Sequence, residues 1–286
     1  MKKILIPVLA GVGLCFAQFA AKAQSYKTHV SKSFDMQNGV VGIFNLDGSI
    51  KVEGYAGSKI MVEIDETITA DNNAALEEGK RDFKLGFDRK GDSLAVYTAY
   101  PYDTRPHRYY RHYGDDDHRD IHYNIKLVYT VKVPNNVALF ATTVNDGDIA
   151  IKNVYGQLKI NNVNGGIEIL NAKGTTSAHT INGPLTVTYL SNPPGESSYY
   201  TLNGELNATF LPDLSADVEF KSMNGQFFTD FDTQVLPSRI TKTINKGNNG
   251  TTYKLNKASD VRFGAGGKSF KFETLNGNIY IKKQKA

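Results

Sequence analysis

Apolar and polar residues alternate with period two along much of this chain, and the alternation restarts at a fixed distance from a glycine. A phrase recurs seven times: a small residue or Asn, an apolar residue, Asn or Asp, Gly, then alternating apolar positions. It reads Asn45-Leu46-Asp47-Gly48-Ser49-Ile50-Lys51-Val52, and returns with an altered opening at Asp146-Gly147 and then at Asn164-Gly165, Asn182-Gly183, Asn203-Gly204, Asn224-Gly225 and Asn276-Gly277. The inward column predicted from it is Ile50/Val52, Ile149/Ile151, Ile167/Ile169, Leu185/Val187, Leu206/Ala208, Phe227/Thr229 and Ile279/Ile281. The intervening positions, such as Lys51, Asp148, Glu168, Thr186 and Glu205, are mostly polar. Period two with one apolar face is the pattern of a half-buried strand. Gly48, Gly147, Gly165, Gly183, Gly204, Gly225 and Gly277 are therefore predicted turn positions, where Asn-Gly and Asp-Gly tolerate positive φ.

Between Gly147 and Gly183 the glycines at 147, 156, 165, 174 and 183 keep a nine-residue beat, and Gly39, Gly48 and Gly57 keep it near the start. Two beats make an eighteen-residue coil. The expected fold is all-β: a single-chain β-solenoid, β-helix-like and right-handed, built from Asn/Asp-Gly turns and short strands. A hairpin meander or sandwich is the alternative, since Asn-Gly is also a hairpin turn. Against it, the apolar column keeps one offset from Gly in every phrase, and a one-residue slip would invert the faces. Elsewhere, Asn73 to Lys80 suits a short helix. Phe83 to Phe87 and Ser93 to Tyr97 read as strands, Ile121 to Val133 as a strand ending in a turn, and Thr241 to Tyr253 as a hairpin or loop. Lys282, Lys283 and Lys285 close the final phrase with charge, which discourages further strand addition.

The first 23 residues read as an export signal. Lys2 and Lys3 precede the mostly apolar Ile4 to Phe19, and Ala21-Lys22-Ala23 fits a cleavage site, so the mature chain is expected to begin at Gln24. Cleavage removes three lysines, taking 33 basic residues to 30 against 29 acidic ones. With that near-balance the case for a nucleic-acid partner disappears. It also removes the one cysteine, Cys15, and leaves no disulfide. Leu14 before Cys15 does not suit lipoprotein processing. No later segment is long and apolar enough to span a membrane. Residues 24–286 are expected to form one elongated domain, with a polar insertion at about 100–123 and a further irregular segment at about 232–270.

Composition shifts sharply only in that insertion. Four of the six histidines fall there, beside Asp115-Asp116-Asp117 and interleaved Tyr and Arg. Tyr offers contact area at low entropic cost, and Arg binds anions. Candidate binding residues are Tyr102, Arg105, His107, Arg108, Tyr109, Tyr110, Arg111, His112, Tyr113, His118 and His122. The imidazoles should make such a site pH-sensitive between about pH 5 and 7. The plainer alternative is a polar spacer between two strands. Deleting Thr104 to Arg119 is expected to leave the fold intact. The histidine spacings match no fixed metal motif, so neither metal nor cofactor is assigned. Calcium rolls need paired glycines in each beat, which are absent. The Asn column (Asn164, Asn182, Asn203, Asn224 and Asn276) suits turns or an internal amide ladder. Asp148, Glu168 and Glu205 are scattered along the outward face rather than paired for acid-base catalysis, and no nucleophile elbow or phosphate loop occurs.

An export signal, the early Asn-x-Asp-Gly-Ser-Ile-x-Val strand, a strand ending in Val133-Pro134 and serial Asn-Gly-x-Ile-x-Ile coils resemble the bacterial β-strand-repeat family labelled "putative adhesin". The resemblance covers nearly all of the mature chain. It implies a secreted or periplasmic β-solenoid with no known catalytic residues. The expected function is then a non-catalytic exported repeat protein, an adhesin or cell-envelope interaction module, meeting an envelope or extracellular protein or a glycan. A periplasmic structural or sensing module and a polysaccharide-acting β-helix enzyme are the alternatives.

Overall fold

The computed structural model describes residues 24–106, 120–237, 240–247, 250–257 and 259–285, with side chains outside 240–257. It is all-β apart from one helix, Asn73–Asp82, and its strands form two large mixed sheets and a hairpin, Ile240–Gly247 with Gly250–Lys257. From residue 138 the chain passes alternately between the two large sheets. Ala138–Thr142, Leu158–Asn161, Thr176–Asn182 and Ser197–Asn203 lie in the eleven-stranded sheet. Ile149–Lys152, Ile167–Ala172, Leu185–Tyr189 and Leu206–Phe210 lie in the ten-stranded one. Neighbours within each sheet are parallel.

The register follows the phrase. Across the ten-stranded sheet Tyr129, Ile50, Ile149, Ile167, Leu185, Leu206, Ile279 and Phe227 are successive partners. Ile149, Ile167 and Leu185 are thus vertical neighbours, each at most 2 % exposed. The opposite sheet supplies Ile43, Ala141, Ile160, Ala178, Tyr199, Phe272 and Phe220 as one column. Apart from the half-buried Phe220 and Phe227, these side chains are buried. Stacking like residues at one offset fills the space between the sheets without a long-range sequence code.

The order of the coils differs from the order of the phrases. The last phrase is not the end of the stack. Ile279–Lys283 pairs on one side with Leu206–Phe210 and on the other with Phe227–Thr229. In the facing sheet Lys268–Asn276 likewise lies between Ser197–Asn203 and Ala216–Asn224. The first phrase is interior too, because Ile50–Tyr55 sits between Tyr123–Pro134 and Ile149–Lys152. Both edges of each such strand are therefore hydrogen-bonded, and the terminal lysines do not guard an open edge. Antiparallel strands finish both sheets at one end, Gln24–Asp35 on Lys59–Ala70 and Lys84–Lys90 on Ser93–Tyr100; at the other, Ser259–Phe263 with Thr233–Val235 ends the eleven-stranded sheet and the parallel Phe227–Thr229 ends the ten-stranded one.

The first polar position of the phrase has its own task. Thr143, Asn162, Thr180, Thr201, Thr274 and Ser222 donate to the carbonyls of Gly48, Gly147, Gly165, Gly183, Gly204 and Gly277 at 2.7–3.2 Å. Each satisfies a backbone group of the adjoining coil. The Asn position forms a continuous ladder: Asn164 donates to Asn145, Asn182 to Asn164, Asn203 to Asn182, Asn276 to Asn203 and Asn224 to Asn276, at 2.7–3.2 Å. The ladder is exposed rather than internal. Its first rung is Asn145, and the extra Asp146 is accommodated at φ 54.

The glycines are required chiefly for a reason other than turn conformation. Of the seven, only Gly48, at φ 105, sits well inside the positive-φ region. At the others the next coil passes too close for a side chain. A Cβ on Gly183 would lie 2.5 Å from the carbonyl carbon of Gly165 and closer still to its oxygen.

The helix begins where Asn72 accepts from Ala75 N–H at 2.9 Å, an N-cap. It packs Ala75, Leu76 and Gly79 inward. Gly79 is needed there because a Cβ would meet Ile68 and the Tyr123 ring at 2.9 Å.

Candidate interaction site

The insertion joins the two sheets at one end of the stack, between Ser93–Tyr100 and Tyr123–Pro134. Of its predicted binding residues, Tyr102, Arg105 and His122 are described. His107, Arg108, Tyr109, Tyr110, Arg111, His112, Tyr113 and His118 lie outside the described residues. His122 is exposed where the second strand begins, and Tyr102 is half-buried where the first has ended.

The first residues of the insertion are clamped to the frame. Thr104 Oγ1 donates to the Phe44 carbonyl at 2.6 Å and accepts from Thr98 N–H at 3.0 Å, while Thr104 N–H donates to the Thr98 carbonyl at 3.1 Å. Arg105 lies with Cζ 3.9 Å from the Tyr97 ring centroid. Its guanidinium is paired with both Asp103 and Asp88. Asp103 in particular, with Tyr97 and Asp88 also contributing, raises the Arg105 pKa, while burial and then a hydrogen bond to Asp88 push the Tyr97 phenol up. With two carboxylates and an aromatic face occupied, Arg105 anchors the end of the described segment to the sheet.

Beside this clamp the outer face of the eleven-stranded sheet carries a shallow depression of about 240 Å³, with Gly42, Phe44, Ala95 and Phe140 as its apolar floor and Asp88 and Lys90 at its margin. Gly42 leaves room for the neighbouring ring, since a Cβ there would meet Phe44 at 2.7 Å. Tyr97, Asp88 and Thr104 escape a sequence reading because their partners lie on other segments. The Asp103-x-Arg105 spacing is the one local signal.

Asp148, Glu168 and Glu205 stand on three different coils of the ten-stranded sheet. Asp148 Oδ1 accepts from Gly166 N–H at 2.7 Å. Glu168 and Glu205 are exposed on the same sheet. Three strand spacings, about 14 Å, separate the coil of Asp148 from that of Glu205, well beyond the ~5–9.5 Å of paired glycosidase carboxylates. Among the described residues no three His, Cys, Asp or Glu side chains are grouped as metal ligands, and no helix is long and apolar enough to cross a membrane.

No protein-family model and no curated protein matches the chain. Distant likenesses are found among solved bacterial structures. A "putative cell adhesion protein" from Clostridium sporogenes is 9 % identical, with a TM-score of 0.39 over 91 % of this chain and 100 % of that one. A "putative adhesin" from Bacteroides fragilis is 9 % identical, with a TM-score of 0.29 over 90 % and 97 %. A "putative adhesin" from Parabacteroides merdae is 11 % identical, with a TM-score of 0.28 over 93 % and 98 %.

Proposed function

We propose that this chain is an exported, non-catalytic interaction protein of the bacterial cell envelope. In this reading residues 24–286 form one β-solenoid whose parallel coils act as a rigid support, and the 100–123 insertion is the principal contact site. The observation that carries it is the clamp at Thr104 and Arg105. It fixes the start of a segment rich in Tyr, Arg and His to the eleven-stranded sheet, and recognition segments are commonly held this way on rigid scaffolds. The repeat turns, in contrast, spend their polar groups on one another through the Asn ladder and the glycine carbonyls. The partner is an envelope or extracellular protein or a glycan.

The clamp also moves the boundary of the informative deletion. Removing Thr104 and Arg105 would break contacts to Phe44, Thr98 and Asp88, so the deletion should span 107–119 only. The shortened protein is expected to melt within about 4 °C of the full chain, because no described core residue is touched. Its binding to whole bacterial cells and to a glycan array should be lost. A deleted protein that binds as tightly would make the insertion a spacer and redirect attention to the face bearing Asp148, Glu168 and Glu205. Failure of the full chain to bind either surface would reject the interaction reading.

A further inference from the structure

The inward residues of Lys59–Ala70 are Ile60, Val62, Ile64, Glu66, Ile68 and Ala70. Five are apolar and one is a carboxylate. Glu66 is 7 % exposed, and no hydrogen bond or ion pair reaches it among the described residues. On the adjoining strand the Tyr129 hydroxyl, two residues along from the partner of Glu66, is fully buried without a partner. Unsatisfied buried polar groups are rare because each forfeits its hydration, and a charged one is the costliest. The Tyr129 hydroxyl is such a group, whereas the mostly buried Glu66 lines a cleft.

Glu66 opens into a cleft of about 380 Å³ between the ends of the two sheets. Tyr26 and Val30 line one side, and Phe83 and Phe87 the other. Lys80 stands at the cleft with its ammonium 5.0 Å over the Tyr26 ring, but its charge is paired with Glu77 Oε1 at 2.8 Å. An anionic floor between aromatic walls is complementary to a cation with an apolar body, since ring faces and a partly desolvated carboxylate both attract positive charge.

We propose that this cleft binds a small organic ammonium ion, its nitrogen on Glu66 and its apolar part between Tyr26, Phe83 and Phe87. None of the residues lining the cleft belongs to the 100–123 insertion. Burial holds the Glu66 carboxyl above its ordinary pKa in the empty protein. The other titratable groups around the cleft are Tyr26 on Gln24–Asp35, Lys80 on the helix and Tyr129 on Tyr123–Pro134, whereas Phe83, Leu85 and Phe87 bring no charge. Affinity should therefore fall as pH is lowered through the raised value and Glu66 becomes neutral.

The test is calorimetric titration of the chain from Gln24 with 2-phenylethylammonium, and with 2-phenylethanol as its neutral counterpart. The ammonium should bind at least about tenfold more tightly than the alcohol, the scale expected for one charge-assisted contact in a partly desolvated site. Glu66→Gln should lose that preference and, without ligand, melt higher than the parent because a buried unpaired charge is gone. No binding of the ammonium, equal binding of the alcohol, or unaltered affinity in Glu66→Gln would overturn the proposal. So would a lower melting temperature for ligand-free Glu66→Gln, which would mean that Glu66 has an internal partner.

Discussion

Ile167→Asp is expected to unfold the parallel stack at physiological temperature. Ile167 is 2 % exposed and pairs with Ile149 on one side and Leu185 on the other, which are themselves buried. Losing its apolar contacts would cost about 2–5 kcal/mol as a large-to-small change, before any charge is considered. A carboxylate there faces only apolar columns from both sheets and has no cation to pair with, so its desolvation adds to the loss. Against a typical total stability of about 5–15 kcal/mol, the sum leaves little folded protein. Circular dichroism melting would show it, with Ile167→Val as the control at about 1 kcal/mol. An Asp variant that melts with the parent would place Ile167 outside the core.

Gly183→Val should come close to the same outcome by a different route. The added Cβ would sit 2.5 Å from the Gly165 carbonyl carbon and 2.7 Å from Gly166 N, both backbone atoms of the adjoining coil. No side-chain movement relieves such a contact, so the two coils must part. Parting them strains the bonds from Gly165 N–H to Asn182 O, from Asn182 N–H to Val163 O and from Thr180 Oγ1 to Gly165 O. The Asn164–Asn182–Asn203 rungs lie in the same turn. A loss of about 3 kcal/mol or more is expected in urea unfolding. Gly91→Ala is the informative contrast. Gly91 has φ 53 and open space around it, so the change should cost only the ~1–2 kcal/mol of left-handed backbone.

Face and register were legible in the sequence because both are local. Period-two alternation decides which side of a strand is buried, and a fixed offset from Gly decides the level at which Ile149, Ile167 and Leu185 meet. The short helix, the hairpin near Thr241 to Tyr253 and the asparagine ladder followed from equally local signals. The order of the coils was not legible, because every phrase presents the same faces at the same level. Ile279 fits beside Leu206 as well as Phe227 does, and only the long connections decide which is placed there. The purpose of the glycines was hidden for a related reason: the approach of Gly165 to Gly183 is a contact between coils.

The candidate site was legible only in part. Composition marks the 100–123 segment, but the role of Arg105 depends on Asp88 and Tyr97, which lie on other strands. Glu66 was not legible as a site: the alternation of Ile60, Val62, Ile64 and Ile68 puts position 66 on the inward face, but the cleft it lines is completed by Gln24–Asp35 and Lys84–Lys90, which are distant in sequence.

The central claim, a stack of coils in register whose last phrase is inserted between two earlier ones, is tested most directly by cysteine pairs on the outer face. A chain begun at Gln24 carries no other thiol, since the sole cysteine is Cys15. Tyr280 is the register partner of both Asn207 and Phe228. Neighbouring strands are about 4.8 Å apart, within disulfide reach, whereas strands two apart are about 9.6 Å apart and beyond it. Mild oxidation should therefore close Asn207→Cys with Tyr280→Cys, and Phe228→Cys with Tyr280→Cys, but leave Asn207→Cys with Phe228→Cys as free thiols. Rapid closure of the 207–228 pair, with 207–280 remaining open, would show the phrases stacked in sequence order and contradict the account.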